Sequence, residues 1–313
     1  MIERIRTQTR EEWRALRRKH IGGTDAAAIM GLNPFSSPLS VWAEKTGQLP
    51  AFEGNLRTEV GLYLEEFVAR RFGAETGKAV RRCNLSLVND DYPFAVANVD
   101  RLIVGENAGL EIKTTSALNS KAFRGGEYPA SYYMQCVHYL AVTGRAKWYL
   151  AVLIGNADFR IFEIVRDEAE IAALMQAEKE FWGRYVIPRV PPPADGNAAT
   201  AETIRRLFPD AADTRVDLSG WEETFEERRR LNAQLRELRE QLDAIDNRIK
   251  LHLGAASGGT CGPWSVSWKT QSTGGLDRDR LRADWPALDL SAYAARGRVF
   301  RVTERKTDRE EKQ

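Results

Sequence analysis

The chain has only three cysteines and three histidines in 313 residues. Cys83, Cys136 and Cys261 lie far apart with no C-x-x-C pair, which argues against a zinc site and against a disulfide framework. They read as small buried residues. Long apolar runs are also lacking, since no stretch approaches the roughly 18 apolar residues of a membrane span. The opening MIERIRTQTREEWRALRRKH is charged and has no central apolar run, unlike a secretory leader. A soluble, cytoplasmic protein is therefore expected. Net charge is small too: 46 basic against 44 acidic side chains leave +2, a balance that neither requires nor excludes nucleic acid.

What the chain does have is a hydrophobic content of 43%, enough to bury a sizeable core, so disorder is not its overall state. Basic side chains gather at both ends: Arg4, Arg6, Arg10, Arg14, Arg17, Arg18 and Lys19, then Arg296, Arg298, Arg301, Arg305 and Lys306. Each group is a candidate phosphate-facing surface and equally a solvated face.

Punctuation and periodicity give the organisation. Residues 10–20 and 24–31 read as short helices around a Gly22-Gly23 turn, and a third helix follows near 39–46. Val60, Leu64, Phe67, Val68 and Phe72 recur at helical spacing, predicting a helix over 57–73 that sets Gly61 and Glu65 one turn apart. Strands near 79–88, 94–104 and 109–114 read as a meander, followed by a helix near 130–143, strands near 147–154 and 158–165, and an amphipathic helix over 167–186. An α/β core over residues 1–193 results. Residues 194–218 read as a linker with one short helix at 200–207, and 219–305 as an accessory region. That region opens on a long helix, 220–253. Its Leu231, Leu235, Leu238, Leu242, Ile245 and Ile249 alternate spacings of four and three as in a coiled-coil seam. Strands are expected over 263–268 and 297–302, before a charged tail at 306–313.

The chemistry centres on PFAVANVDRLIVGENAGLEIKTT. In a strand, residues i and i+2 share a face, so Glu111 and Lys113 point together while Ile112 points into the opposite layer. A hairpin sets Asp100 beside them. Two carboxylates offer hard oxygen ligands suited to magnesium, with manganese as a substitute. Lys113 would repel a cation directly, and its value lies elsewhere. Beside a divalent ion and partly desolvated, its pKa is expected to fall, so that it takes a proton from the attacking water or holds that water against a phosphate. Glu65 is placed to extend the metal shell or hold a second ion. A bare E-x-K usually means two solvated side chains; the buried layer marked by Leu110 and Ile112, with an acid upstream, strengthens this one.

This arrangement resembles the PD-(D/E)XK nuclease superfamily, and further segments resemble its YqaJ and lambda-exonuclease branch of phage recombination nucleases. Trp13 to Ala27, with W-x-x-x-R and I-G-G-T-D-A-A, resembles the family's opening motif. Gly61-Leu62-Tyr63-Leu64-Glu65 resembles its helical G-x-x-x-E, and Tyr133 to Leu140 its Y-x-x-Q-x-x-H-Y-L helix. The likeness covers about residues 10–190 in the family's order. It implies a restriction-endonuclease-like α/β core, a central mixed sheet flanked by helices; the C-terminal helix and small β element, read from periodicity alone, form an extension beyond it. Asp100, Glu111, the Ile112 carbonyl and Glu65 would hold the metal, and Lys113 would be the catalytic lysine. Arg17, Thr24 and Gln135 match positions that hold a 5′ phosphate, and Asn98 stands where the family has a serine. His138 reads as a core residue.

By resemblance the chain degrades one strand of linear double-stranded DNA from its 5′ end, leaving a 3′ tail for a single-strand annealing protein, and assembles as a homo-oligomer, a trimeric ring in the better-known members. Relatives with an iron–sulfur cluster need four cysteines, one more than this chain has. The alternatives are an endonuclease of other specificity on the same fold, a catalytically silent DNA-end-binding partner, or a coiled-coil scaffold.

Overall fold

A computed structural model of the chain describes residues 1–50, 53–270 and 278–285. The backbone divides into two units, Met1–Pro209 and Asp210–Gln313. In the first, the chain runs through β1 (Ile2–Ile5), α1 (Arg10–Arg18), β2 (Ile21–Gly22), α2 (Gly23–Ile29), α3 (Pro38–Lys45) and α4 (Leu56–Thr76). It then forms β3 (Val80–Arg82), β4 (Ser86–Asn89), β5 (Tyr92–Asn98), β6 (Arg101–Ile103) and β7 (Ala108–Thr115). A short 3-10 segment, Ala117–Gly126, leads into α5 (Ala130–Thr143), β8 (Lys147–Ile154), β9 (Asp158–Val165), α6 (Glu168–Phe181) and α7 (Ala198–Leu207).

The β8 sequence, KWYLAVLI, has no polar residue after its lysine, the pattern of a strand covered on both faces. Trp148, Leu150, Val152 and Ile154 pack with α5 and α6, while Tyr149, Ala151 and Leu153 pack with Val68, Ala69 and Phe72 of α4. This strand anchors a five-stranded mixed sheet in the order β3-β6-β7-β8-β9, in which β7 and β8 are parallel and the other pairs antiparallel. A second sheet, β1-β4-β5-β2, is antiparallel except where β2 joins β5.

The expected meander is corrected here. Residues 79–88 and 94–104 each divide between the two sheets, as β3 and β4 and as β5 and β6. Asp100 accordingly lies in the bend where the chain leaves one sheet for the other, and not within a strand. Gly22 and Gly23 form no free turn either: Ile21 and Gly22 pair with Ala95 and Val96 of β5, and α2 begins at Gly23. The helix expected over 167–186 is α-helical to Phe181 and closes with a wider π turn, Trp182–Val186, where Phe181 and Val186 enter a cluster with Trp42.

A polar pair, His138 and Glu178, sits fully inside this core. His138 Nδ1 meets Glu178 Oε1 at 2.8 Å and Nε2 donates to the Val96 carbonyl at 3.0 Å, tying α5 to α6 and β5. Burial favours a neutral imidazole, but the Glu178 carboxylate outweighs it and raises the His138 pKa. This is the structural role read from the sequence. His138→Ala strands Glu178 in the core and is expected to cost about 3–5 kcal/mol, against about 0.3–0.5 kcal/mol for an exposed helical pair such as Arg71–Glu75. Urea unfolding measures it. A loss under about 1 kcal/mol would show that the pair contributes no more than an ordinary neutral hydrogen bond.

The second unit contains α8 (Glu222–Leu253), 32 residues long with no buried side chain, and a hairpin of β10 (Gly258–Cys261) and β11 (Trp264–Ser267). Leu231, Leu235, Leu238, Leu242, Ile245 and Ile249 are exposed along α8. The strand expected at 297–302 and the charged tail lie outside the described residues.

Candidate active site

On β7 the alternation of side chains turns Glu111 and Lys113 toward α5, and Leu110 and Ile112 into the cluster under α4. Gly109 has to be glycine: a Cβ there would lie 2.3 Å from the Trp148 ring, which fills the layer below the site. Lys113 Nζ contacts Glu111 Oε1 at 2.6 Å and donates to Gln135 Oε1 at 2.7 Å, with the Tyr132 ring 5.3 Å away. Gln135 Nε2 donates to Glu111 Oε1 at 2.7 Å and to the Tyr139 hydroxyl at 2.9 Å. Both amide hydrogens of Gln135 are thereby used inside the site, so in this arrangement it orients Glu111 and Lys113 and offers no free donor to a phosphate.

Asp100 Oδ2 accepts from the Ile112 N–H at 2.8 Å. This contact is possible because β6 pairs with β7 only as far as Leu110, leaving Ile112 on an open edge. A residue's N–H and C=O leave a strand on the same side, so the Ile112 carbonyl opens on that edge as well. Burial, then the nearby Glu111 charge, push Asp100 well above the usual carboxylate range, against the opposing pull of Lys113 and the Ile112 N–H. With no ion bound, Lys113 is shifted upward, whereas the expected fall concerns the site beside a divalent ion. Burial lowers its pKa, but the attraction of Glu111 and Asp100 prevails and raises it, so the amine is held as a cation.

A divalent ion fits this donor set. Glu111 is only 3% exposed and its Oε2 is buried without a hydrogen-bond partner, beside a second carboxylate that its charge disfavours. A cation between Glu111 and Asp100 answers both conditions. Glu65 is the exception among the expected ligands. It lines the cleft, but its Oε1 is engaged by the Arg101 guanidinium, and among the described residues no three acidic, histidine or cysteine side chains converge as a ready cage.

The other end of the same cleft, about 430 Å³ in volume, is built by α1, β2 and α2. The parallel pairing of β2 with β5 brings Arg17 and Thr24 to the cleft that Asn98 also lines. Gly23 lets α2 lie against α5, since a Cβ there would come within 2.8 Å of the Tyr139 ring. Arg17 donates to Thr24 Oγ1 at 3.2 Å, lies 3.5 Å from Asp25 Oδ1, and stacks 5.2 Å from the Trp13 ring centroid. One cleft therefore collects all the residues singled out from the sequence: Arg17, Thr24, Glu65, Asn98, Asp100, Glu111, Ile112, Lys113 and Gln135.

Sequence reasoning missed what supports them. Lys45, whose side chain is fully buried, reaches Asp25 Oδ2 at 2.6 Å and the Arg17 carbonyl at 2.9 Å. Asp25 was visible inside I-G-G-T-D-A-A, whereas nothing near Lys45 in WAEK marks it as that residue's partner. Burial alone would raise the Asp25 pKa, but Lys45, Arg17 and the Gly22 N–H together hold it at about 2. The depressed value makes the ion pair's contribution fully present above the unfolded value of 3.8 and lost as pH falls through about 2. At about 1.4 kcal/mol per pKa unit this contribution is about 2 kcal/mol. Asp25→Asn is expected to flatten acid unfolding between those pH values; an unchanged slope in a urea and pH titration would contradict the assignment.

Similarity to known proteins defines the class. The profile of the YqaJ-like viral recombinase domain matches residues 12–146, the stretch that contains the whole cleft. The chain is 38% identical over 283 residues to the uncharacterized protein YqaJ of Bacillus subtilis strain 168, covering 89% of each chain. It belongs to the YqaJ family. Among solved structures it is similar to an alkaline exonuclease, LHK-Exo, from Laribacter hongkongensis, at 19% identity and a TM-score of 0.48 over 57% of this chain and 94% of that one. The same exonuclease in complex with dAMP gives 19% identity and a TM-score of 0.49, over 63% and 96%. The mixed α/β core expected from the sequence is present, with Asp100, Glu111 and Lys113 at the open edge of the mixed sheet, between α4 and α5.

Proposed function

We propose that the chain is a divalent-metal-dependent exonuclease that degrades linear double-stranded DNA from 5′ to 3′ and leaves 3′ single-stranded tails for recombination by annealing. The observation that carries this reading is one cleft holding two kinds of chemistry. At one end are two carboxylates, one with an orphaned buried oxygen, and a lysine cation; at the other are an arginine and a threonine that line the cleft and could take an anion. Membership in a viral recombinase family supports it.

Asp100, Glu111 and the Ile112 carbonyl would hold magnesium, with manganese as a substitute; Glu65, whose Oε1 is engaged by Arg101, would join that shell through its other oxygen or on releasing the arginine. When bound, the ion supplies Lewis-acid stabilisation of the charge that builds on the phosphate. As a cation Lys113 holds the attacking water or a phosphate oxygen through its N–H groups, and beside a bound ion that lowers its pKa it would take a proton from that water. Gln135 fixes the Lys113 and Glu111 head groups, and Tyr132 and Tyr139 close the wall behind them. Arg17 offers a charge-assisted fork for a terminal phosphate, held by Trp13, Thr24 and Asp25. Assembly into a homo-oligomeric ring and hand-over to a single-strand annealing protein belong to the same proposal.

End dependence tests it. Linear duplexes with a 5′ phosphate or a 5′ hydroxyl, and a covalently closed circle, are incubated with magnesium. The phosphorylated end is expected to be degraded at least about tenfold faster than the hydroxyl end, the worth of one good contact to a charged group. The circle should survive. Equal attack on all three would replace this reading with an endonuclease.

A further inference from the structure

Trp13 bridges two groups that line the cleft, Arg17 and Asn98. Its ring face carries the Arg17 guanidinium at 5.2 Å, and its Nε1 donates to Asn98 Oδ1 at 3.2 Å. An indole N–H donates and never accepts. The Asn98 atom opposite it must therefore be the amide oxygen. Ser86 Oγ, buried on β4, donates to that same oxygen at 2.6 Å, so both of its lone pairs are committed. The Asn98 nitrogen has no acceptor among the described residues, and Asn98 lines the cleft.

We infer that Trp13 is a positioning residue that turns Asn98 into a fixed hydrogen-bond donor beside Arg17, and that this pairing sets the enzyme's preference for a 5′-phosphorylated end. The inference rests on the proposed exonuclease reading and names the source of its selectivity. Trp13 and Ser86 are unequal in this task. A hydroxyl can donate or accept, so Ser86 tolerates either orientation of the amide; only the indole forbids the flipped one. A flipped amide would present its oxygen to the phosphate, replacing a hydrogen bond with repulsion between two acceptors.

The test is a double-mutant cycle. Trp13→Phe keeps an aromatic face for Arg17, narrower than the indole, and removes the N–H. Asn98→Ser supplies a hydroxyl that rotates to donate without an orienting neighbour. The readout is the ratio of kcat/KM on phosphorylated to that on hydroxyl-ended linear duplex. Trp13→Phe is expected to lower this ratio about tenfold, the loss of one hydrogen bond to a charged group, mainly through KM on the phosphorylated end. In the Asn98→Ser background the same substitution should move the ratio less than about twofold, giving a clear coupling between the sites. Asn98→Asp, which cannot donate when ionised, should lower the ratio with Trp13 intact and so reports on the donor without altering the indole. Melting temperatures monitor the fold of each variant. An equal effect of Trp13→Phe in both backgrounds, or an equal loss on both kinds of end, overturns the inference while the exonuclease reading stands. A parent enzyme that degrades linear duplex without preference for the phosphate also overturns the inference alone, whereas equal attack on linear ends and the closed circle overturns that reading itself, and the inference with it.

Discussion

Lys113→Ala is expected to lower the rate of hydrolysis of a phosphorylated linear duplex by about 10³-fold or more, and Glu111→Ala by a similar factor. The magnitude follows from how the two side chains share one site. Lys113 Nζ and Gln135 Nε2 both bind Glu111 Oε1, so removing the lysine withdraws a cation from the reacting phosphate and also unpins the carboxylate. Removing the carboxylate deprives the lysine of its closest counter-charge and leaves Asp100 as the single acid facing the open edge of β7. The double variant should be little worse than either single one, because residues that act as a unit lose their whole effect at the first deletion. Stability needs a separate control: both Lys113→Ala and Lys113→Met leave the buried Glu111 without its cation, but only Lys113→Met keeps the apolar stem. Both lysine variants should be inactive and should still bind duplex ends. Either single variant retaining more than about a tenth of parent activity, with a native circular dichroism spectrum and cooperative melting, would sink the hydrolytic reading.

How much of this was legible beforehand depends on how local each signal is. Glu111 and Lys113 were placed on one face because alternation in a strand spans three residues, and β8 and β9 were found at their observed ends because turn residues bound them. Asp100 was singled out for its place upstream of E-x-K, but its conformation was misread. The bend that aims it at the Ile112 N–H exists because the chain changes sheets there, and partner choice among strands is decided by long-range packing that alternation does not encode. Strand β1, which joins β4 through Ile2 to Ile5, was missed for a related reason: four residues with two charges show little β pattern outside their sheet. The 3-10 segment Ala117–Gly126 has no clear period and was left unread. The upward shift of Lys113 in the metal-free protein was not legible, because burial and charge oppose each other, and which prevails depends on the closeness of Glu111 and Asp100, known only once the strands are assembled. Lys45 shows the same limit. Nothing around it in sequence announces that it reaches Asp25 across the junction of three helices.

Magnesium is expected to raise the melting temperature of the parent protein and to leave Asp100→Asn nearly unmoved. In the metal-free protein the Asp100 carboxylate is held above its usual range by burial and by Glu111. The sign for a raised carboxylate is that stability falls as pH climbs from the unfolded value of 3.8 through the folded one, because the folded state favours the protonated form. Asparagine abolishes that penalty, and its amide oxygen can still accept from the Ile112 N–H. Metal-free Asp100→Asn should therefore melt at or above the parent's temperature at neutral pH, even though its hydrolysis is lost, the pattern of a site whose function strains the fold. The cation changes the order. An ion that binds only the folded state adds RT ln(1 + [L]/Kd), about 2.7 kcal/mol at a hundred times Kd. For a domain of this size that corresponds to a rise of about 5–10 °C. The parent, with both carboxylates, should show the rise with magnesium or manganese and lose it on chelation, while Asp100→Asn and Glu111→Gln should show little. Calorimetric scans with and without the ion give the answer in one series. An equal shift in parent and variants would place the stabilising ion elsewhere on the molecule, and the assignment of Asp100 and Glu111 as its ligands would fail even if the enzyme were active.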